Sequence, residues 1–245
     1  MNVNPETLVG ELAQKLNRGV IEAHKPGLVE GLRETVNQSE IKPSMKTLCL
    51  TLRETPEREA ACRKHFAERG VDATFIYGIH AGQAGLLTKN TYDVDNPGSG
   101  YTIGAHGVGI WVSFIMMFQA ALQMEGEHFF MLEHDAEFAP DWKQRFDQGM
   151  KDVPPDFDFF FMGSCCLRSD KRKERVKGDV WRVHSPNCNH SMVVAKKCLP
   201  FVIKELSSKC WAPLDIHLIF KCFPHLKVYA LLPRLSGQFN TFLHE

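Results

Sequence analysis

The residues best equipped for chemistry lie in Phe129 to Phe138, F-F-M-L-E-H-D-A-E-F, where four bulky apolar residues run straight into Glu133, His134 and Asp135. If the strand continues through this segment, side chains alternate, so Glu133 and Asp135 share one face and His134 takes the other. Two carboxylates at that spacing can share one hard divalent cation, or divide between a cation and a nucleotide ribose. Mg²⁺ or Mn²⁺ is commonly held this way, by one or two carboxylates plus the phosphates of a substrate. Two acids at a solvated strand end also need no function at all, so this segment alone leaves both readings open.

Other candidates are spread along the chain. Asp215, in A-P-L-D-I-H-L, falls just inside a predicted helix start. It reads either as a proton acceptor or as a first-turn acid stabilised by the helix dipole. Thr51, Arg53 and Arg58 end or follow the first predicted strand, where a nucleotide would dock, and an arginine there can make charge-assisted bonds to phosphate. Arg58 reads equally well as a surface residue with Glu54, Glu57 and Glu59 for partners. His190 lies on a predicted strand and is either a hydrogen-bonded core histidine or part of a site. Ser113 has no G-x-S-x-G context, so it reads as a helix-packing residue.

The elements that would position these residues follow from pattern. K-T-L-C-L-T-L from Lys46 is a β-rich run, Thr55 and Pro56 open an amphipathic helix ending near Gly70, and A-T-F-I-Y-G-I is a second strand. A strand, helix and strand in that order make a βαβ unit and predict an α/β fold with a mostly parallel, Rossmann-like central sheet. A Gly-, Asn- and Thr-rich loop over residues 82 to 105 precedes an apolar helix reaching about Met124. Although no charged residue occurs from Thr102 to Met124, Ser113, Gln119 and Gln123 interrupt the apolar part, which suits a buried core helix better than a membrane span. Further helices are predicted from Pro140, over P-F-V-I-K-E-L and near P-L-D-I-H-L-I-F-K-C-F, with strands at F-D-F-F-F-M-G-S-C-C, H-S-M-V-V-A and L-K-V-Y-A-L-L-P. Residues 1 to 44 read as a separate extension of two short helices, opened by Asn4 with Pro5 and by Pro26, that packs on the main domain of residues 45 to 245 or on another subunit.

Composition narrows the class. Among 245 residues, 29 Lys and Arg balance 29 Asp and Glu, which excludes a globally basic binder of nucleic acid or membrane. The balance hides a local excess, since residues 168 to 177 carry six basic and two acidic groups. That stretch reads as a solvated loop, or as one that closes over phosphates or grips an anionic acceptor. Eight cysteines occur without a C-x-x-C pair, and the first residues lack the basic and apolar regions of a signal peptide, so a reducing, cytoplasmic setting is expected.

Five pieces in fixed order resemble glycosyltransferase family 25, over about Lys46 to Gln238: L-C-L-T-L-R-E-T-P-E-R-E, H-G-V-G-I-W-V-S-F, L-E-H-D-A-E-F, N-H-S-M-V-V-A-K-K and P-L-D-I-H-L, followed by a Pro-containing strand and Gln238. The resemblance implies a GT-A fold and inverting, metal-dependent transfer of a hexose from a nucleotide sugar, most often a UDP-hexose, to an acceptor hydroxyl, as in lipopolysaccharide synthesis. It implies Asp135 and Glu133 as ligands of Mn²⁺ or Mg²⁺, Asp215 as the base, and Thr51, Arg53, Arg58, Glu133, His190 and Gln238 around the donor. Three positions depart from the family pattern: His134 replaces the middle Asp of the acidic triplet, Phe114 stands where His is usual, and His80 falls near a usual Asp. They keep an inactive, glycosyltransferase-like binding domain as an alternative, beside a metal-dependent nucleotidyltransferase.

Overall fold

The computed structural model describes residues 45–80, 104–165, 171–208 and 212–238. The predicted N-terminal extension, the loop over 82 to 103 and Arg168 to Asp170 lie outside the described residues.

The βαβ unit forms as the pattern requires. Strand β1 (Lys46–Thr51) leads through helix α1 (Pro56–Arg69) to β2 (Thr74–Tyr77), and the two strands pair in parallel. Pro56 suits the first turn of α1, where its missing N–H would have no helical partner. Gly70 ends the helix in the left-handed region at φ 66°, a conformation that costs glycine little.

Eight strands form one sheet in the order β2-β1-β3-β8-β5-β9-β7-β6. The remaining members are β3 (His128–Glu133), β5 (Phe159–Cys165), β6 (Glu174–Lys177), β7 (Val180–Arg182), β8 (Asn187–Ala195) and β9 (Val228–Leu231). Following the pairings outward, only β8 and β7 run against the rest, so six of the eight strands share a direction. The α/β class and mostly one-directional sheet expected from the sequence are therefore present. A separate antiparallel ribbon joins β4 (Ala136–Phe138) to β10 (Ser236–Gln238).

The central strands read as unbroken apolar runs because both faces are covered. Alternate residues Leu48, Leu50, Phe129, Met131, Phe159, Phe161, Met192 and Val194 pack in one layer with α2 (Ala105–Gln123), α4 (Leu199–Ser208) and α5 (Leu214–His217). The intervening Cys49, Phe130, Leu132, Phe160, Met162 and Val193 pack on the other side with α1 and α3 (Trp142–Asp152). Helix α2 is long and apolar enough to cross a bilayer by length and composition, yet Trp111, Phe114, Met117 and Phe118 are all buried against the sheet and its neighbours. Ser113 is a packing residue of this helix: its hydroxyl donates to Gly109 O at 2.6 Å and accepts from Ile79 N–H at 2.8 Å.

The second part of the charged stretch differs from its expectation as a loop. Glu174 to Lys177 form an edge hairpin with β7, and Lys177 Nζ reaches Asp152 at 2.7 Å. An exposed edge strand tolerates dense charge, which protects its open side from pairing. Strand β6 lies five strand positions from β3, roughly 24 Å at the usual strand spacing.

Phe160 is fully buried between β8, β9 and α3. Phe160→Ala should lower unfolding free energy by about 3–5 kcal/mol, read from chemical denaturation of the full chain; a loss below about 1 kcal/mol would contradict this packing.

Candidate functional site

Three acids converge at the C-terminal end of β3. Glu133 ends the strand and, by alternation, follows Phe129 and Met131 toward the side bearing α5. The strand then stops. His134 and Asp135 form a turn into β4, so the two carboxylates do not come together by strand alternation as the sequence reading expected. The turn is held by His134 N–H donating to Leu50 O at 2.9 Å, and the charge of Asp135 is felt at Glu133. Asp215 arrives separately, at the start of α5 beside β8.

The electrostatics record this convergence. Burial, then the neighbouring charges of Asp135 and Asp215, push the Glu133 carboxyl up to about 8. Asp135 Oδ2 accepts a hydrogen bond from Gln238 Nε2 at 3.1 Å, whereas its Oδ1 is buried and has no hydrogen-bond partner among the described residues. The Asp215 carboxylate is oriented by two backbone donors, Ile216 N–H at 2.9 Å and Cys188 N–H at 3.3 Å. Cys188 donates from a left-handed conformation at φ 65°, which is uncommon outside glycine and marks a specially shaped entry into β8.

A divalent cation fits this arrangement through the chemistry of its donors. A buried, unpartnered carboxylate oxygen beside a second acid that burial and repulsion hold protonated is a site short of positive charge. Among the described residues no group of three or more His, Cys, Asp and Glu could hold an ion.

The other expected residues stand on several different elements. Thr51 closes β1 with its hydroxyl buried and unpartnered among the described residues. Arg53 is exposed, with its guanidinium 4.2 Å from the centroid of the Tyr77 ring. Arg58 is exposed on α1, and its charge reaches His134; burial is the larger cause that holds the imidazole below its ordinary value. The ion-pair partner of Glu59 is Arg63, at 2.7 Å. His190 is fully buried, with Nε2 3.4 Å from Ser236 O and its ordinary basicity reduced, chiefly by burial. Phe114, at a departure from the family pattern, is a core residue of α2.

Several polar residues here escaped the sequence reading. Asn187, Asn189, Ser191 and Ser236 each have a buried polar atom without a hydrogen-bond partner among the described residues. The available signal was the polar run N-C-N-H-S entering the apolar M-V-V-A of β8. Gly163 was also missed: a Cβ there would lie 2.2 Å from His190 Nε2 and 2.4 Å from Ser236 Oγ. The Cys188 thiol is pushed up by its hydrogen bond to Cys165 and by burial, which removes it as a ready nucleophile.

No protein-family model matches the chain, and no curated protein matches it. Among solved structures it is similar to a glycosyltransferase involved in the glycosylation of the major capsid of PBCV-1, at 12% identity over 81% of this chain and 95% of that one, with a TM-score of 0.45. It is similar to galactosyltransferase LgtC in complex with donor and acceptor sugar analogs, at 10% identity over 71% of this chain and 70% of that one, TM-score 0.38. It is also similar to inositol-1-phosphate CTP transferase from T. maritima, at 12% identity over 78% and 86%, TM-score 0.35. At these values the likeness is one of outline, and no residue role passes from those proteins to this chain.

The state of Glu133 gives a pH signature. Its folded value near 8 lies above the ordinary 4.5, so the unfolded chain releases this proton first as pH rises. Its contribution to stability is therefore fully present below about 4.5 and is lost progressively up to about 8. Glu133→Gln should match the wild type near pH 4.5 and exceed its thermal midpoint at pH 8.5 by at least about 3 °C, the shift expected from ~1 kcal/mol in a chain of this size. Parallel midpoint curves for the two proteins would refute the buried, protonated carboxyl.

Proposed function

We propose that this chain is a GT-A-type glycosyltransferase related to family 25, transferring a hexose, galactose or glucose, from a UDP sugar to an acceptor hydroxyl with inversion. The observation that carries the proposal is the meeting of Glu133, Asp135 and Asp215 at one sheet end, with Asp135 Oδ1 buried and unpartnered among the described residues. The resemblance of the five sequence pieces supplies the donor class, the outcome and lipopolysaccharide or another glycan as the setting. Residues 1 to 44 belong to this proposal as an appended helical extension that packs on the main domain or on another subunit, and the compartment as cytoplasmic.

In this reading Asp135, with Glu133 beside it, holds Mn²⁺ or Mg²⁺. When bound, the ion offsets the negative charge that gathers on the diphosphate as it leaves. Thr51, Arg53 and Arg58, at the end of β1 and the start of α1, face the nucleotide and phosphates. Asp215 takes the proton from the acceptor hydroxyl as that oxygen bonds to the anomeric carbon and the bond from that carbon to the diphosphate oxygen breaks. A base on the side opposite the leaving group is what inversion demands. The backbone donors on Asp215 fix its direction. Its bond from Ile216 N–H also favours a second role, an acid that organises the start of α5.

Incubation with UDP-, GDP- and TDP-sugars plus Mn²⁺ should release free nucleotide slowly without an acceptor. Silence across donors, metals and acceptors would leave the inactive binding domain standing, while pyrophosphate formation from a nucleoside triphosphate and a sugar phosphate would establish the nucleotidyltransferase. Asp135→Asn should abolish donor cleavage in a folded protein. Asp215→Asn should cut transfer by roughly 10²–10⁴-fold with donor affinity nearly unchanged; an equal loss of donor affinity would make Asp215 structural.

A further inference from the structure

The two oxygens of Asp135 stand in different surroundings, and β10 creates the difference. Gln238 Nε2 donates to Oδ2 at 3.1 Å, while Oδ1 is buried and without a hydrogen-bond partner among the described residues. Asp135 itself sits in a turn, where the second side-chain torsion of an aspartate is broad and loosely restrained. The strand bringing Gln238 is anchored at several points. It pairs with β4 in the register Gln238 to Ala136 and Ser236 to Phe138. Leu235 N–H donates to Met162 O at 2.7 Å, and Leu235 O accepts from Ala139 N–H at 2.9 Å. His190 Nε2 lies 3.4 Å from Ser236 O. This close crossing exists because residue 163 is glycine: an added Cβ would lie 2.5 Å from Ser236 O as well as against His190.

We propose that Gln238 is a positioning residue, whose amide holds Asp135 by Oδ2 and so presents Oδ1 to the divalent cation. His190 and Gly163 act one step further back, by seating the strand that carries the amide. The inference deepens the proposed function and rests on its metal-binding part. It also changes the role of Gln238 from the donor contact expected from the sequence to a partner of a ligand. A neutral amide suits the task, because it orients a carboxylate without adding a positive charge that would repel the cation. Outer partners of this kind typically contribute about 10–100-fold to metal affinity.

The test is titration of the full chain with Mn²⁺ alone, following the free ion by electron paramagnetic resonance. Gln238→Met keeps the length of the side chain and removes its donor. It should weaken Mn²⁺ binding on the order of tenfold or more. In donor cleavage the same variant should need about tenfold more Mn²⁺ for half-maximal rate, with kcat at saturating Mn²⁺ mostly restored. Gly163→Ala should weaken binding in the same direction by displacing β10; should it fail to fold, Gln238→Met still decides. Wild-type uptake of Mn²⁺ with Gln238→Met unchanged within twofold would overturn the positioning role and leave the proposed function intact. No uptake by the wild type at millimolar Mn²⁺ would overturn the metal-binding reading and this proposal together.

Discussion

Burial of the central sheet on both faces is the constraint from which the rest of this structure follows. Strands β3, β5 and β8 carry Phe129, Phe130, Phe159, Phe160, Phe161, Met192 and Val193 into two separate apolar layers. A charged group inside either layer would carry a large desolvation cost. Carboxylates can therefore enter only where the strands end, and Glu133 stands at that boundary. Its raised carboxyl value shows how far the apolar surroundings still reach.

The same boundary explains why the site is assembled from distant pieces. Asp135 comes from the turn after β3, Asp215 from the start of α5, Gln238 from β10 and His190 from β8. Asp135, Asp215 and Gln238 sit in a turn or at an element end, whereas His190 is fully buried within β8. Negative charge is thus concentrated where backbone direction is well determined.

Much of the scaffold was legible in the sequence. The βαβ unit, the apolar α2, the helix after Pro140 and the strands around Phe159 and Tyr229 follow from periodicity and from Pro and Gly punctuation, which are local properties. The acids Glu133 and Asp135 were visible for the same reason, since an apolar run ending in carboxylates is a local signal. The geometry between them was not, because it assumed that β3 continues past Glu133. Nor could spacing show that Gly163 opens a passage for Ser236, 73 residues later in the chain. The strand Glu174–Lys177 was not legible because dense charge suits both a solvated loop and an exposed sheet edge.

The sequence by itself determined the class of fold, the central strands and the presence of acids at the end of one of them, since alternation and apolar content act between near neighbours. Only the tertiary structure decided that Asp215 approaches Glu133, that Gln238 takes one oxygen of Asp135, and that the other is left buried without a partner among the described residues. These relations depend on strand order and on a ribbon crossing the sheet end, and both are set by packing between segments far apart in the chain.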